Sequence, residues 1–100
     1  MDKLLSALSL CRKAGAVKQG FDAVKECVME GEAFLVLTAK DLSEGSQKRV
    51  EYFCEDLVPC VQMPYTSGEL LQIFRKASGV FAVCDENLAE LCRKHLQQAQ

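Results

Sequence analysis

The chain has no tryptophan, one histidine and two prolines in 100 residues. It also has no long apolar run. The longest, Phe34–Leu37 and Val80–Cys84, fall far short of the ~20 residues a membrane-spanning helix needs. The start, Met-Asp-Lys-Leu-Leu-Ser, opens on an acid and an amphipathic pattern rather than a signal peptide, which predicts a cytoplasmic protein with no membrane partner. Neither sign of charge dominates: 12 Lys+Arg stand against 14 Asp+Glu, a net charge of -2. There is no Gly-rich phosphate loop and no Gly-x-Ser-x-Gly elbow. His95 has no second histidine and no close ligand pair beside it. The expectation is therefore no catalytic residue, no metal and no cofactor.

What is present is ordinary globular material. Apolar residues make up 49% and charged residues 26%, which argues against disorder, collagen or coiled coil. One domain over residues 1–100 fits the length. Six cysteines stand at 11, 27, 54, 60, 84 and 92, with no Cys-x-x-Cys pair. With no secretory signal they read as reduced thiols that fill core positions. A redox role rests on their number alone and requires at least one exposed thiol of lowered pKa.

Element signals alternate along the chain. Residues 2–13 read as a helix capped by Asp2, with Leu4, Leu5, Leu8 and Cys11 inward and Gly15 as its stop. Residues 16–19 read as a short strand. Residues 21–30 read as a second helix, with Ala23, Val24, Cys27 and Val28 inward and Gly31 ending it. Residues 33–38 form a continuous apolar run, the mark of a strand buried on both faces. Asp41 or Ser43 then caps a third helix carrying Val50, Phe53, Cys54 and Leu57 inward, stopped by Pro59. Residues 61–63 read as a strand. Thr66 and Glu69 have capping-box spacing and open a fourth helix with Leu70, Ile73 and Phe74 inward. Residues 80–84 are a second buried strand. Asp85 caps a last helix carrying Leu88, Leu91, Cys92 and Leu96, and the tail 97–100 is expected to fray. Strands and helices in alternation predict an α/β fold, a three-layer α/β/α sandwich on a mixed sheet of about four strands.

Two local features point toward a ligand. Residues 3–25 hold Lys3, Arg12, Lys13, Lys18 and Lys25 against the single acid Asp22, and Lys40, Lys48 and Arg49 follow the second strand. Loops at strand ends are the usual ligand edge of such a sheet, and a basic edge there suits phosphate. Solubilising lysines account for the same charges equally simply. The second feature is Gly20-Phe21-Asp22. A glycine at a strand-to-helix turn lets a ligand approach the backbone, and the helix start offers N–H groups. Asp22 as a helix cap and Phe21 as a hydrophobic staple are the plain alternatives.

Leu10 to Gly15, Gly20, Gly31, Leu35 to Glu44 with Lys48, Pro64 with Glu69-Leu70, and Val80 to Val83 with Asp85 together resemble the ribosomal protein L-seven-Ae / L-thirty-e superfamily. The likeness spans nearly the whole chain and is strongest to its small bacterial members. It implies an α/β/α sandwich that binds RNA kink-turns through a Gly-x-Asn-Glu turn and a lysine one helical turn on. That motif falls on Gly20, Phe21, Asp22 and Ala23, and the lysine falls on Glu26. A second loop that covers extruded bases falls on Ala77, Ser78 and Gly79. The departures have consequences. Ionised Asp22 accepts hydrogen bonds but cannot donate, Ala23 has no carboxylate for guanine, and Glu26 repels phosphate. Each lost base contact costs about 1–3 kcal/mol if the pose is kept.

The resemblance implies a non-enzymatic, ribosome- or translation-associated RNA-binding protein. Arg12, Lys13, Lys18, Gly20, Phe21, Asp22, Lys25, Lys40, Ala77, Ser78 and Gly79 would form the interface, with RNA and ribosomal proteins as partners. The rival is a protein-interaction module on the same fold that has lost kink-turn recognition. A continuous basic edge through Lys18, Lys25 and Lys40 would favour RNA. An edge broken by Asp22 and Glu26, with exposed apolar area around Phe21, would favour a protein.

Overall fold

The computed structural model describes residues 2–99, with side chains as far as Gln97. Its elements are α1 (Lys3–Lys13), β1 (Val17–Gln19), α2 (Phe21–Met29), β2 (Leu35–Thr38), α3 (Glu44–Cys54), β3 (Cys60–Gln62), a 3-10 helix (Glu69–Gln72), β4 (Val80–Val83) and α4 (Glu86–Ala99). The sheet runs in the order β1-β4-β2-β3. β4 pairs antiparallel with both β1 and β2, while β2 pairs parallel with β3. The sheet is thus mixed and four-stranded, as expected.

Side-chain alternation divides the two central strands between two cores. Leu35, Leu37, Phe81 and Val83 face α1 and α4, where Leu4, Leu8, Cys11, Cys92 and Leu96 meet them. Val36, Val80 and Ala82 face α2 and α3, where Val24, Cys27, Val28, Val50 and Phe53 meet them. Helices on both faces explain why these strands carry no polar alternation. Among the described residues no helix is long and apolar enough to cross a membrane.

The local signals act as the residue types dictate. Asp2 caps α1 by accepting from the Leu5 amide at 2.9 Å, and it also takes the Tyr65 hydroxyl at 2.6 Å. Asp85 accepts from the Leu88 amide at the start of α4. Thr66 and Glu69 exchange both capping-box bonds, at 3.1 and 3.0 Å. Ser43, rather than Asp41, caps α3, and Asp41 instead binds the Ser67 amide and hydroxyl.

Five expectations need correction. The capping box opens only a four-residue 3-10 helix, whose Leu70 still points inward. The third strand begins and ends one residue earlier than its apolar pattern suggested. Ala23 is exposed, because Val24, Cys27 and Val28 already fill the buried stripe of α2. Leu57 is 65% exposed. α3 closes at Cys54, where Glu55 turns to a φ of 31°, so Leu57 never joins the helical stripe and Pro59 is not its stop. Finally, α4 continues through Ala99 rather than fraying from Gln97, while Gln100 lies outside the described residues.

Candidate nucleic-acid interface

The sheet topology decides which loops meet. β4 is antiparallel to β1 and β2, so its first residue lies beside their last. The Gly20 amide donates to Val80 O at 3.0 Å, and the Ala39 amide donates to Gly79 O at 2.9 Å. The Lys40 amide donates to Tyr65 O, which brings in the segment after β3. Three segments therefore converge at one end of the sheet: the Gly20-Phe21-Asp22 turn, the Lys40–Ser43 loop, and Ala77-Ser78-Gly79.

Each segment has a physical reason for its shape. Gly20 sits at φ 96° and ψ 152°, a region that only glycine enters readily. It caps α2 without a side chain, so the first amides of that helix carry no side-chain cap. Asp22 is therefore not the cap. It lies in the first turn, where its charge suits the helix dipole. Gly79 lies close under Leu42: a Cβ there would come within 2.8 Å of Leu42 Cδ1, so the end of that side chain would have to yield. The Ser78 hydroxyl donates to Val80 O and accepts from the Val80 amide, which fixes the loop's entry into β4. Asp41, Leu42, Ser67 and residues 77–79 line a shallow depression of about 310 Å³. The two hydrogen bonds from Ser67 hold the Asp41 carboxyl below its usual range. Two buried polar atoms at this end, Gln19 Oε1 and Thr38 Oγ1, have no partner among the described residues.

The basic residues do not all share this end. Lys25 does belong with the turn, on the α3 side of α2. It lines a groove of about 470 Å³ together with Phe21, Lys48, Arg49, Tyr52 and Leu57. Lys18 points to the other side of α2, into a crevice shared with Glu26, Glu30 and Glu32. The positions 25 and 26 diverge because successive helical residues are about 100° apart. Arg12 and Lys13 are remote: α1 closes just before Ala16, whose carbonyl takes the Cys84 amide at the far end of β4. The structure thus gathers Gly20, Phe21, Asp22, Lys25, Lys40, Ala77, Ser78 and Gly79, and leaves Arg12, Lys13 and Lys18 apart.

Phe21 is more occupied than its sequence position suggested. Its ring meets Phe53 edge to face at 5.3 Å between centroids, and the Arg49 guanidinium lies 4.4 Å from its centroid. It works as an anchor between α2 and α3 that orients Arg49. Sequence reasoning counted Arg49 in the basic edge after the second strand but not among the interface residues, and it did not place Tyr52 or Leu57 in a site. The i, i+3 spacing of Arg49 and Tyr52 on the polar side of α3 was the available signal. It also left Arg75 and Lys76 unassigned, two exposed cations in the loop that continues into Ala77. Among the described residues no cluster of three or more His, Cys, Asp or Glu could hold a metal ion.

Comparison with known proteins sets this geometry in a family. A protein of unknown function from Bacillus halodurans C superposes with a TM-score of 0.90 at 21% identity, over 97% of this chain and 99% of that one. The Giardia lamblia 15.5kD RNA binding protein superposes with a TM-score of 0.76 at 20% identity, over 96% of this chain and 83% of that one. At such identities the likeness is one of fold. Among curated proteins no sequence match is found. The family model for the ribosomal protein L7Ae/L30e/S12e/Gadd45 family matches residues 2–93, and with nearly the whole chain covered, this protein belongs to that family.

Proposed function

We propose that this protein is a non-enzymatic RNA-binding protein that recognises structured, kink-turn-like RNA and works in association with the ribosome or translation. The observation that carries the reading is the convergence at one sheet end of the Gly20 turn, Lys40 and the Ala77–Gly79 loop in a chain of this family. The uncapped amides at the start of α2 suit a phosphate or a base edge. Lys25, Lys40, Arg75 and Lys76 supply phosphate contacts, which position the RNA without reading its sequence. The depression beside the 77–79 loop, with Leu42 and Ala77 in its lining, suits an extruded base. Asp22, Ala23 and Glu26 weaken direct guanine readout, so shape and backbone contacts carry most of the binding. RNA of this kind is a cytoplasmic partner.

The test is a titration against a labelled kink-turn RNA and a matched straight duplex at two salt concentrations. Preference for the bent RNA that weakens steeply with salt is the expected result. Equal, weak binding to both overturns the kink-turn reading.

A second reading has its own observation. The groove between α2 and α3 leaves Met29 55%, Tyr52 76% and Leu57 65% exposed, around Phe21. Glu26 and Asp22 also interrupt the basic edge between Lys18 and Lys25. These features favour a protein partner, such as a ribosomal protein, seated in the groove. If the double variant Tyr52→Ala, Leu57→Ser retains full RNA affinity, the groove is not part of the RNA interface, as this reading requires.

A further inference from the structure

The fold sorts all six cysteines into three pairs. Cys11 and Cys92 face each other between α1 and α4, fully buried, with their sulfurs 3.7 Å apart. Cys54, ending α3, lies beside Cys60, which opens β3. Cys27 on α2 meets Cys84, just past β4, with the sulfurs 3.1 Å apart. This third pair has two advantages. Against the buried pair its sulfurs are closer, and one of the two, Cys84, is half-buried, as Cys60 is in the second pair. Cys27 floors the crevice of about 190 Å³ that Lys18 and Glu26 also line.

We propose that Cys27 and Cys84 are a reversible disulfide-forming site whose oxidant is a hydroperoxide. A disulfide bond of about 2.05 Å requires the sulfurs to approach by only about 1 Å, within the reach of χ1 adjustments. In the first step the Cys84 sulfur attacks one oxygen of hydrogen peroxide, the O–O bond breaks, and the leaving hydroxide takes the Cys84 thiol proton and departs as water, with Cys84 now a sulfenic acid. The Cys27 sulfur then attacks the Cys84 sulfur. The S–S bond forms, the S–O bond breaks, and a second water carries away the oxygen with the Cys27 thiol proton. Two thiols have lost two electrons and one peroxide has gained them. Exchange with a small dithiol returns both thiols.

Roles follow from the surroundings. Burial, with Cys84 beside it, pushes the Cys27 thiol up to about 12, which disfavours its thiolate, so the first attack falls to the half-buried Cys84 and Cys27 follows only through its closeness. A reducing compartment keeps such a pair open until an oxidant arrives, which is the usual setting of a cytosolic redox-sensing disulfide. The bond would fasten the middle of α2 to the end of β4, across 57 positions of sequence. That crosslink restricts the unfolded chain, so the oxidised form should melt at a higher temperature than the reduced one.

The experiment treats the reduced, folded protein with hydrogen peroxide, removes the peroxide, alkylates the remaining thiols in acid-quenched denaturant brought to neutral pH with the reagent, and maps peptides by mass. The expected result is a loss of two hydrogen atoms, four alkylated cysteines of the six, and a crosslinked peptide joining Cys27 to Cys84 that dithiothreitol releases. Cys27→Ser should leave Cys84 as a sulfenic acid that dimedone captures. Six alkylated cysteines after peroxide, or a crosslink between any other two, overturns the proposal. The wild-type map decides the question even if a variant fails to fold.

Discussion

On one face of the sheet, α1 and α4 bury Leu4, Leu8, Leu35, Leu37, Phe81 and Leu96. On the other, α2 and α3 bury Val24, Val28, Val36, Val50 and the thiols of Cys27 and Cys54. The first layer is made of long side chains, and Leu8, Cys11 and Cys92 are sealed completely. The second is built mostly of valines and cysteines, with Phe53 among them, and the outer rims of α2 and α3 face water. There Met29, Tyr52 and Leu57 stay exposed, beside Lys25, Lys48 and Arg49. The contrast separates two tasks. On the proposed reading the leucine layer carries most of the stability, while the valine and cysteine layer borders the groove that faces other molecules.

Core truncation tests that division with the largest effect. Leu8→Ala, at 0% exposure, should cost about 3 kcal/mol. Val24→Ala, equally buried but smaller, should cost about 1.5 kcal/mol. Urea unfolding measures both. Equal costs would break the comparison, because the second layer would then be as decisive as the first. Next in size is a backbone test at the candidate site. An added Cβ meets nothing within 4 Å at either Gly20 or Gly45, so only conformation distinguishes them. Gly20→Ala should cost about 1–3 kcal/mol because of its φ of 96°. Gly45→Ala, inside α3, should instead stabilise by about 0.5 kcal/mol.

The order of elements was legible because its signals are local. Asp2, Gly15, Gly31, Thr66 with Glu69, and Asp85 each act within a few residues of where they stand. The apolar runs at 35–38 and 80–83 declare strands buried on both faces without reference to their partners. The site was legible only in part. Gly20 and Ala77–Gly79 are far apart in sequence, and the antiparallel pairing of β4 with β1 and β2 joins them. Arg12 and Lys13 looked like their neighbours because charge counted along a chain ignores which end of a sheet a helix reaches. Leu57 misled for a similar reason: its spacing is helical, but Glu55 leaves the helix first. The three cysteine pairs span 81, 57 and 6 positions, and no spacing rule connects them.

Charge reversal sharpens the comparison on the functional side. Lys25→Glu lies in the α2–α3 groove and Arg12→Glu lies at the opposite end of the sheet. If Lys25 holds a phosphate, its reversal should weaken RNA binding and lower the salt slope by about 1. Arg12→Glu should leave both unchanged. Equal loss from the two variants would mean that RNA spreads over both ends of the sheet, against the proposed interface.

The smallest expected effect concerns a titrating tie at the edge of the leucine layer. The Tyr65 hydroxyl donates to both oxygens of Asp2, at 2.7 and 2.6 Å, while Asp2 also caps α1. The bond from Tyr65, then that from the Leu5 amide, lowers the Asp2 carboxyl below its ordinary 3.8. Burial, then Asp2, raises the Tyr65 hydroxyl above its ordinary 10.0. The signs give two limbs. Asp2 contributes its stability in full above 3.8, and the contribution fades as pH falls through the lowered folded value. Tyr65 contributes in full below 10.0, and its contribution fades as pH rises toward its raised folded value. Between these limits the pair holds stability flat. Tyr65→Phe removes the shared bond and keeps the ring in its buried place. It should cost about 1 kcal/mol at neutral pH, discounted because Asp2 is exposed to solvent. It should also shrink both limbs, the alkaline one keeping the part that the raised thiols of Cys27, Cys54 and Cys92 contribute. Urea midpoints measured from pH 3 to 10.5, across about the range where the two groups ionise, would show this. If both limbs survive the substitution unchanged, the pH dependence arises elsewhere and the Asp2–Tyr65 bond is not what ties α1 to the segment after β3.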